Sequence, residues 1–173
     1  MNIMQKNKFI TTILLISLIF LVHTALAADQ NAPPREDAIL AAANNLFTFM
    51  KNKEYASIWK GLSLKSKKTI VDNVYKESSK LGVVHKKDDL MNDFNSGGTI
   101  AKEYWNSFLF VFDPNMVLEQ CKWDMGEIEK DEAEIILLYK KSDRPAIIKM
   151  YKEKNDWKVG LEESFGARRA NLF

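Results

Sequence analysis

The spacing of apolar residues changes once along this chain, near Pro114, and that change limits what it can fold into. Before Pro114 the apolar residues recur every three or four positions. After it they alternate. Ile39, Ala43, Leu46 and Met50, with Leu40 and Phe47 widening the stripe, predict a helix over 34–52. Pro34 suits its first position, and Glu36 and Asp37 complement its positive end. Tyr55, Ile58, Trp59 and Leu62 make a short second amphipathic segment that stops at Gly61. Ser63 or Ser66 caps a third helix, with Ile70, Val71, Val74, Tyr75 and Leu81 on its buried side and Gly82 past its end. Asp88 and Asp89 open a fourth, broken by Asn95-Ser96-Gly97-Gly98. Thr99 is expected to cap a fifth, carrying Tyr104, Trp105, Phe108, Leu109, Val111 and Phe112 and stopped by Pro114. Every residue from Phe108 to Phe112 is apolar, so this stretch is expected to be enclosed by protein.

Beyond Pro114 four strands are predicted. The first runs from Val117 to Met125 and ends at Gly126. The second covers Ala133 to Lys140; Ile135 to Leu138 are apolar on both faces, which suits a central strand. The third covers Ala146 to Glu153, and the fourth runs from Trp157 to about Phe165. The turns at Ser142-Asp143-Arg144-Pro145 and Lys154-Asn155-Asp156 are short, which favours an antiparallel meander. The predicted class is α+β: N-terminal helices packed on a curved, cone-like, antiparallel four-stranded C-terminal sheet.

The two ends of the chain read differently. Lys6 and Lys8, the apolar run Phe9 to Val22 and the small-x-small tripeptide Ala25-Leu26-Ala27 read as a signal peptide over residues 1–27. An uncleaved anchor is the alternative, and then only this segment meets the membrane. Either way the chain is expected to be exported, to the periplasm or beyond. Residues 28–33 form a leader, 34–165 a single domain and 166–173 a tail. The chain has 25 Lys and Arg against 23 Asp and Glu. Because Lys6 and Lys8 precede residue 28, the remainder is formally neutral, which argues against a nucleic-acid partner. Cys121 is the only cysteine, on the apolar side of the first strand, and is expected to be a buried, inert thiol, with an intermolecular bridge or a reactive thiol as the alternative.

Reactive constellations are scarce. His85 is the only histidine after residue 27, in a polar loop, and no metal-ligand spacing is present. No cofactor is implied. The acidic run Glu127-x-Glu129-x-Asp131-Glu132 reads as a solvated turn. Glu119 is the sharpest oddity, in register with Val117, Cys121 and Trp123 on the predicted inner face; Glu163 follows Trp157, Val159 and Leu161 in the same way. A carboxylate on an apolar face is costly, and desolvation would raise its pKa towards acid–base use. A one-residue slip of register would turn Glu119 outward. A second set, Trp59, Tyr104, Trp105, Phe108, Trp123 and Tyr139, is expected either to line a ligand pocket or to form plain core.

The order of elements resembles the cystatin-like cone of the nuclear-transport-factor-like superfamily. The resemblance rests on the long opening helix ending in Tyr55-Ala56-Ser57-Ile58-Trp59, the aromatic helix Tyr104 to Phe112, and the closing hairpin from Met150 to Val159. It covers about residues 34 to 165 and departs in lacking a strand pair between the early helices. It implies a helical layer closing over a bent sheet, acids on the concave face aided by a Tyr (here Glu119 with Tyr139 or Tyr104), and pairing through the outer sheet face, where Ile136, Leu138 and Tyr151 would lie. Three functions stay open: a non-enzymatic domain binding a small apolar molecule or pairing as a homodimer, an acid–base enzyme of isomerase, dehydratase or hydrolase type, and a structural accessory protein of the cell envelope.

Overall fold

A computed structural model describes residues 34–169, with side chains to residue 166. The predicted signal peptide and leader lie outside the described residues, as does the end of the tail. From Arg35 onward the described chain forms one compact unit. Seven helices and four strands are described: α1 (Arg35–Lys51), α2 (Tyr55–Gly61), α3 (Leu64–Lys80), α4 (Lys87–Ser96), α5 (Thr99–Val111), α6 (Pro114–Gln120), β1 (Cys121–Ile128), β2 (Glu132–Tyr139), β3 (Ala146–Glu153), β4 (Asp156–Gly160) and α7 (Leu161–Arg169). The strands form one antiparallel sheet in the order β1-β2-β3-β4, so the α+β class holds.

Local chemistry explains most boundaries. The Ser63 hydroxyl caps α3 by accepting from the Ser66 amide at 3.0 Å. Gly97, at φ +67°, ends α4 in the left-handed region, and a Cβ there would lie 3.1 Å from the Ala56 amide nitrogen. The α2–α3 link covers the free edge of β4, because Leu62 bridges Val159 in parallel and the Ser63 amide donates to the Val159 carbonyl at 2.9 Å.

Four expectations change. Thr99 is not the cap of α5; Asp93, one helix earlier, accepts from the Ala101 amide at 2.8 Å. Residues 117–120 belong to α6 rather than a strand. Asp113 caps that helix and Pro114 occupies its first turn, and this local start signal overrides the apparent alternation. The sheet therefore begins at Cys121. The last strand stops at Gly160 and α7 follows, with Glu162 and Glu163 complementing its positive end. A Cβ at Gly160 would stand 2.5 Å from the Tyr151 ring, so this exit from the sheet requires glycine. Finally, Phe110 is 91% exposed and Val111 is exposed as well, although Phe108 and Leu109 pack on the core. Five consecutive apolar residues wind around a helix, and the neighbours of α5 cover only one side of it.

The core is continuous. α1 buries Ile39, Ala43, Leu46, Phe47 and Met50 against α2, α6 and β4, while β2 and β3 contribute Ile135, Leu137, Ile148 and Met150.

Candidate functional site

The predicted pocket aromatics are ring neighbours within the core. Trp59 stacks on Phe94 with centroids 4.5 Å apart, and Phe94 meets Tyr104 edge-on at 5.4 Å. The run continues through Trp105, Phe108 and Phe112 to Phe47, which meets Trp123 edge-on at 5.9 Å. Trp59 and Trp105 are fully buried, and their indole N–H groups find no acceptor among the described residues. The Trp123 indole donates to the Val117 carbonyl at 2.9 Å and so ties β1 to α6. Tyr139 lies apart from this run, half-buried at the end of β2 opposite Cys121.

The two candidate carboxylates are not on strands. Glu119 is exposed on α6 and pairs with Lys51 at 2.8 Å, so the desolvation expected of it is absent. Glu163 lies on α7, where it accepts from the hydroxyls of Ser63, at 2.8 Å, and Ser66. Ser66 in turn accepts from the Glu162 amide at 3.0 Å. Both serines are buried, so this knot locks the start of α3 to the start of α7. Glu153 adds a bond from the Leu64 amide at 2.6 Å. Burial beside this knot pushes the Lys67 amine down, against the upward pull of Glu153 and with a smaller downward push from Lys158. Cys121, expected to be buried, is half-buried at the start of β1, and what burial it has pushes its thiol up, away from the thiolate form.

An open concavity lies elsewhere, in a trough of about 460 Å³ between α1 and the β3–β4 hairpin. One wall is the side of α1 that carries Ala38, Ala41, Ala42, Asn45 and Phe49. The facing wall is Asn155, Asp156, Trp157 and Lys158, and Ser57, Lys60 and Gly61 close one flank. The trough owes its width to small residues, since longer side chains at the three alanines would fill it. Gly61 allows α2 to sit against α1, as a Cβ there would stand 2.9 Å from Leu46 Cδ1. Arg35 holds the Trp157 wall, its guanidinium 5.4 Å from the ring centroid and donating to the Lys130 carbonyl at 2.7 Å. The lining combines apolar surface with two ammonium groups, Lys60 and Lys158, and Lys158 also contacts Asp156 at 3.3 Å. Such a lining can hold an apolar body and orient a polar or anionic end.

The sequence reading missed this trough. Its signal is the spacing of Ala38, Ala41, Ala42 and Asn45, a small-residue face beside the larger core stripe of the same helix. Trp157 and Lys158 come from more than a hundred residues away, and no local pattern announces them.

A smaller hollow of about 60 Å³ is lined by Glu127, Glu129, Glu132 and Glu134 with Lys149. Among the described residues no three acidic, Cys or His groups are placed to hold a metal ion. No described helix is long and apolar enough to cross a membrane. Compared with known proteins, the chain matches no family model, no curated protein and no solved structure.

Proposed function

We propose that this chain is an exported, non-catalytic binding domain whose site is the trough between α1 and the β3–β4 hairpin. Its ligand is a small amphiphile. The apolar body lies along Ala38, Ala42, Phe49 and Trp157, and the polar end meets Lys60 or Lys158. The supporting observation is the trough itself, open beside a core whose aromatic rings already contact one another. The exposed, ion-paired state of Glu119 removes the motive for acid–base chemistry there.

Calorimetric titration with medium-chain carboxylates and the matching alcohols tests this reading. Saturable binding is expected, tighter for the carboxylates. Ala41→Trp places a ring in the trough from an exposed position and should abolish binding while stability changes by less than about 0.5 kcal/mol. Absence of binding across the series, or binding that survives Ala41→Trp, sinks the proposal.

A second reading, pairing through the outer sheet face, is favoured by Leu138 and Ile147, each 42% exposed, beside the half-buried Ile136. Sedimentation of the wild type and of Ile147→Lys distinguishes it; a monomer in both cases rejects pairing.

A further inference from the structure

The sheet has two edges, and the described residues cover only one. At β4 the Ser63 amide donates to the Val159 carbonyl, and beyond the end of β4 the Ser164 hydroxyl accepts from the Lys149 amide at 2.8 Å. β1 is the other edge strand. Just before it, the Gln120 carbonyl accepts from the Lys140 amide at 3.4 Å. Antiparallel pairing alternates, so Lys122 and Asp124 turn their backbone groups towards β2, while Cys121, Trp123 and Met125 turn theirs away. The far edge gives the same parity. The Lys149 amide faces β4, so Ile148 bonds to Ile135, and Ile136 to Asp124. Among the described residues nothing bonds to the outward amides and carbonyls of β1. Such a row is a template for another strand, and natural edges are usually blunted by lysine, by a bulge or by a covering element. Here the bulge lies between Met125 and Ile128, past the regular stretch, and Lys122 is neutralised by Asp124 at 2.9 Å.

Two features of β1 select its occupant. The regular stretch runs from Cys121 to Met125, with Trp123 at its middle. A two-fold axis through Trp123, normal to the sheet, lays this stretch antiparallel on a second copy of itself. Cys121 then stands opposite Met125 of the second copy, Trp123 stands opposite its own equivalent, and the outward backbone groups meet as bonded pairs. The half-buried side chains of these three residues share the inner face along the seam. The same axis sets Lys122 opposite Asp124 of the second copy, and Asp124 opposite its Lys122. Both fall at non-hydrogen-bonded positions, where facing side chains are closest. With the bond already made inside each strand, four charges of alternating sign close a ring. Moving the axis to Lys122 would oppose lysine to lysine, and moving it to Asp124 would oppose aspartate to aspartate. Behind the ring, the β2 neighbours of Lys122 and Asp124 are Leu138 and Ile136, which add no charge. The length of the regular stretch and the placing of its charges therefore point to one partner in one register.

We infer that β1 is a self-pairing edge, which joins the sheets of two copies of this chain into one continuous antiparallel sheet about a two-fold axis at Trp123. This pairing uses the strand edge rather than the outer face around Ile147, and it does not rest on the trough between α1 and the β3–β4 hairpin.

The test mixes charge variants of the full chain and follows mass by sedimentation. The wild type should associate reversibly to a dimer. Lys122→Asp and Asp124→Lys each turn both opposed pairs into like pairs and should each weaken the dimer about tenfold or more. An equimolar mixture of these two variants should recover wild-type association, because every opposed pair is then unlike again. The double variant Lys122→Asp/Asp124→Lys should recover it for the same reason. Recovery in the mixture also shows that each single variant is folded. Amide exchange at Trp123 and Met125 should slow as protein concentration rises, while exchange at Ile147 should not change. Association through the N-terminal apolar run is blind to these charges, so a mixture no better associated than either variant alone overturns the inference. So does a wild type that stays monomeric at millimolar concentration. Loss of the dimer in Ile147→Lys, with its persistence in both single charge variants, assigns pairing to the outer sheet face and likewise overturns it.

Discussion

Helix α1 has two neighbouring apolar faces in different circumstances. On one, Ile39, Ala43, Phe47 and Met50 are buried, and Phe47 lies between the rings of Phe112 and Trp123. On the other, Ala38, Ala41, Ala42 and Phe49 border a trough of about 460 Å³, whose far wall is Asn155, Asp156, Trp157 and Lys158. The faces differ chiefly in side-chain volume. Large residues along one side draw α2, α6 and the sheet onto the helix. Alanines along the other leave a trough open beside the β3–β4 hairpin, although β4 itself packs on the core side of the helix. Hydrophobicity alone therefore does not decide which surface becomes core; the volume available to meet the facing element does.

Phe47→Ala should produce the largest effect, a loss of about 3–5 kcal/mol in denaturant unfolding, because the rings around it cannot close the space left. A loss below about 1 kcal/mol would mean that this face is not the packed one. Ser66→Ala should cost about 1–3 kcal/mol, since the Glu162 amide and the Glu163 carboxylate each lose a buried partner. Hydrogen exchange should then rise at the start of α7 and not within α1. Phe49→Ala removes a half-buried ring from the open face and should cost about 1–2 kcal/mol. It should weaken amphiphile binding far more than Phe47→Ala does once both are measured on folded protein, and equal weakening would erase the distinction between the faces.

The smallest effect is one of pH. Burial lowers Lys67, so the native state holds that proton less tightly than the unfolded chain does. Between the lowered native value and the ordinary 10.5, the unfolded chain binds more protons, and stability contributed by this group rises with pH. Tyr151 works in the opposite direction. Burial first, then Glu163, Glu132 and Glu134, push its phenol up, and stability drawn from it falls as pH rises above the ordinary 10.0. The difference in unfolding free energy between wild type and Lys67→Gln cancels the tyrosine. That difference should change in favour of the wild type as the pH rises towards 10.5. A flat difference would show that Lys67 is hydrated in the native state.

Much of the fold was legible because its signals are local. Ser63, one of two candidate caps before a polar-apolar helical repeat, Gly82 and Gly97 after their helices, and the tight turn at Lys154-Asn155 marked four boundaries. Ile135 to Leu138 correctly marked a strand paired on both sides. The two misplaced strand ends share one cause. Val117 and Cys121 are spaced four apart as well as alternating with polar neighbours, so the segment fits either period, and the Asp113-Pro114 start was the stronger cue. Leu161 likewise continues the alternation of Trp157 and Val159, yet the chain leaves the sheet where Gly160 lets Glu163 reach Ser63 and Ser66. Those serines lie nearly a hundred residues earlier, beyond any local window.

What the sequence determined by itself was the order and type of most elements, the four-stranded meander and the apolar stripe of α1, because capping, turn chemistry and periodicity act over a few residues. Tertiary structure alone decided that Glu119 meets solvent and Lys51, that Trp59 and Trp105 are enclosed, and that Trp157 faces three alanines across an open trough. Burial and concavity depend on which surfaces arrive opposite one another, and that is a property of the packed whole.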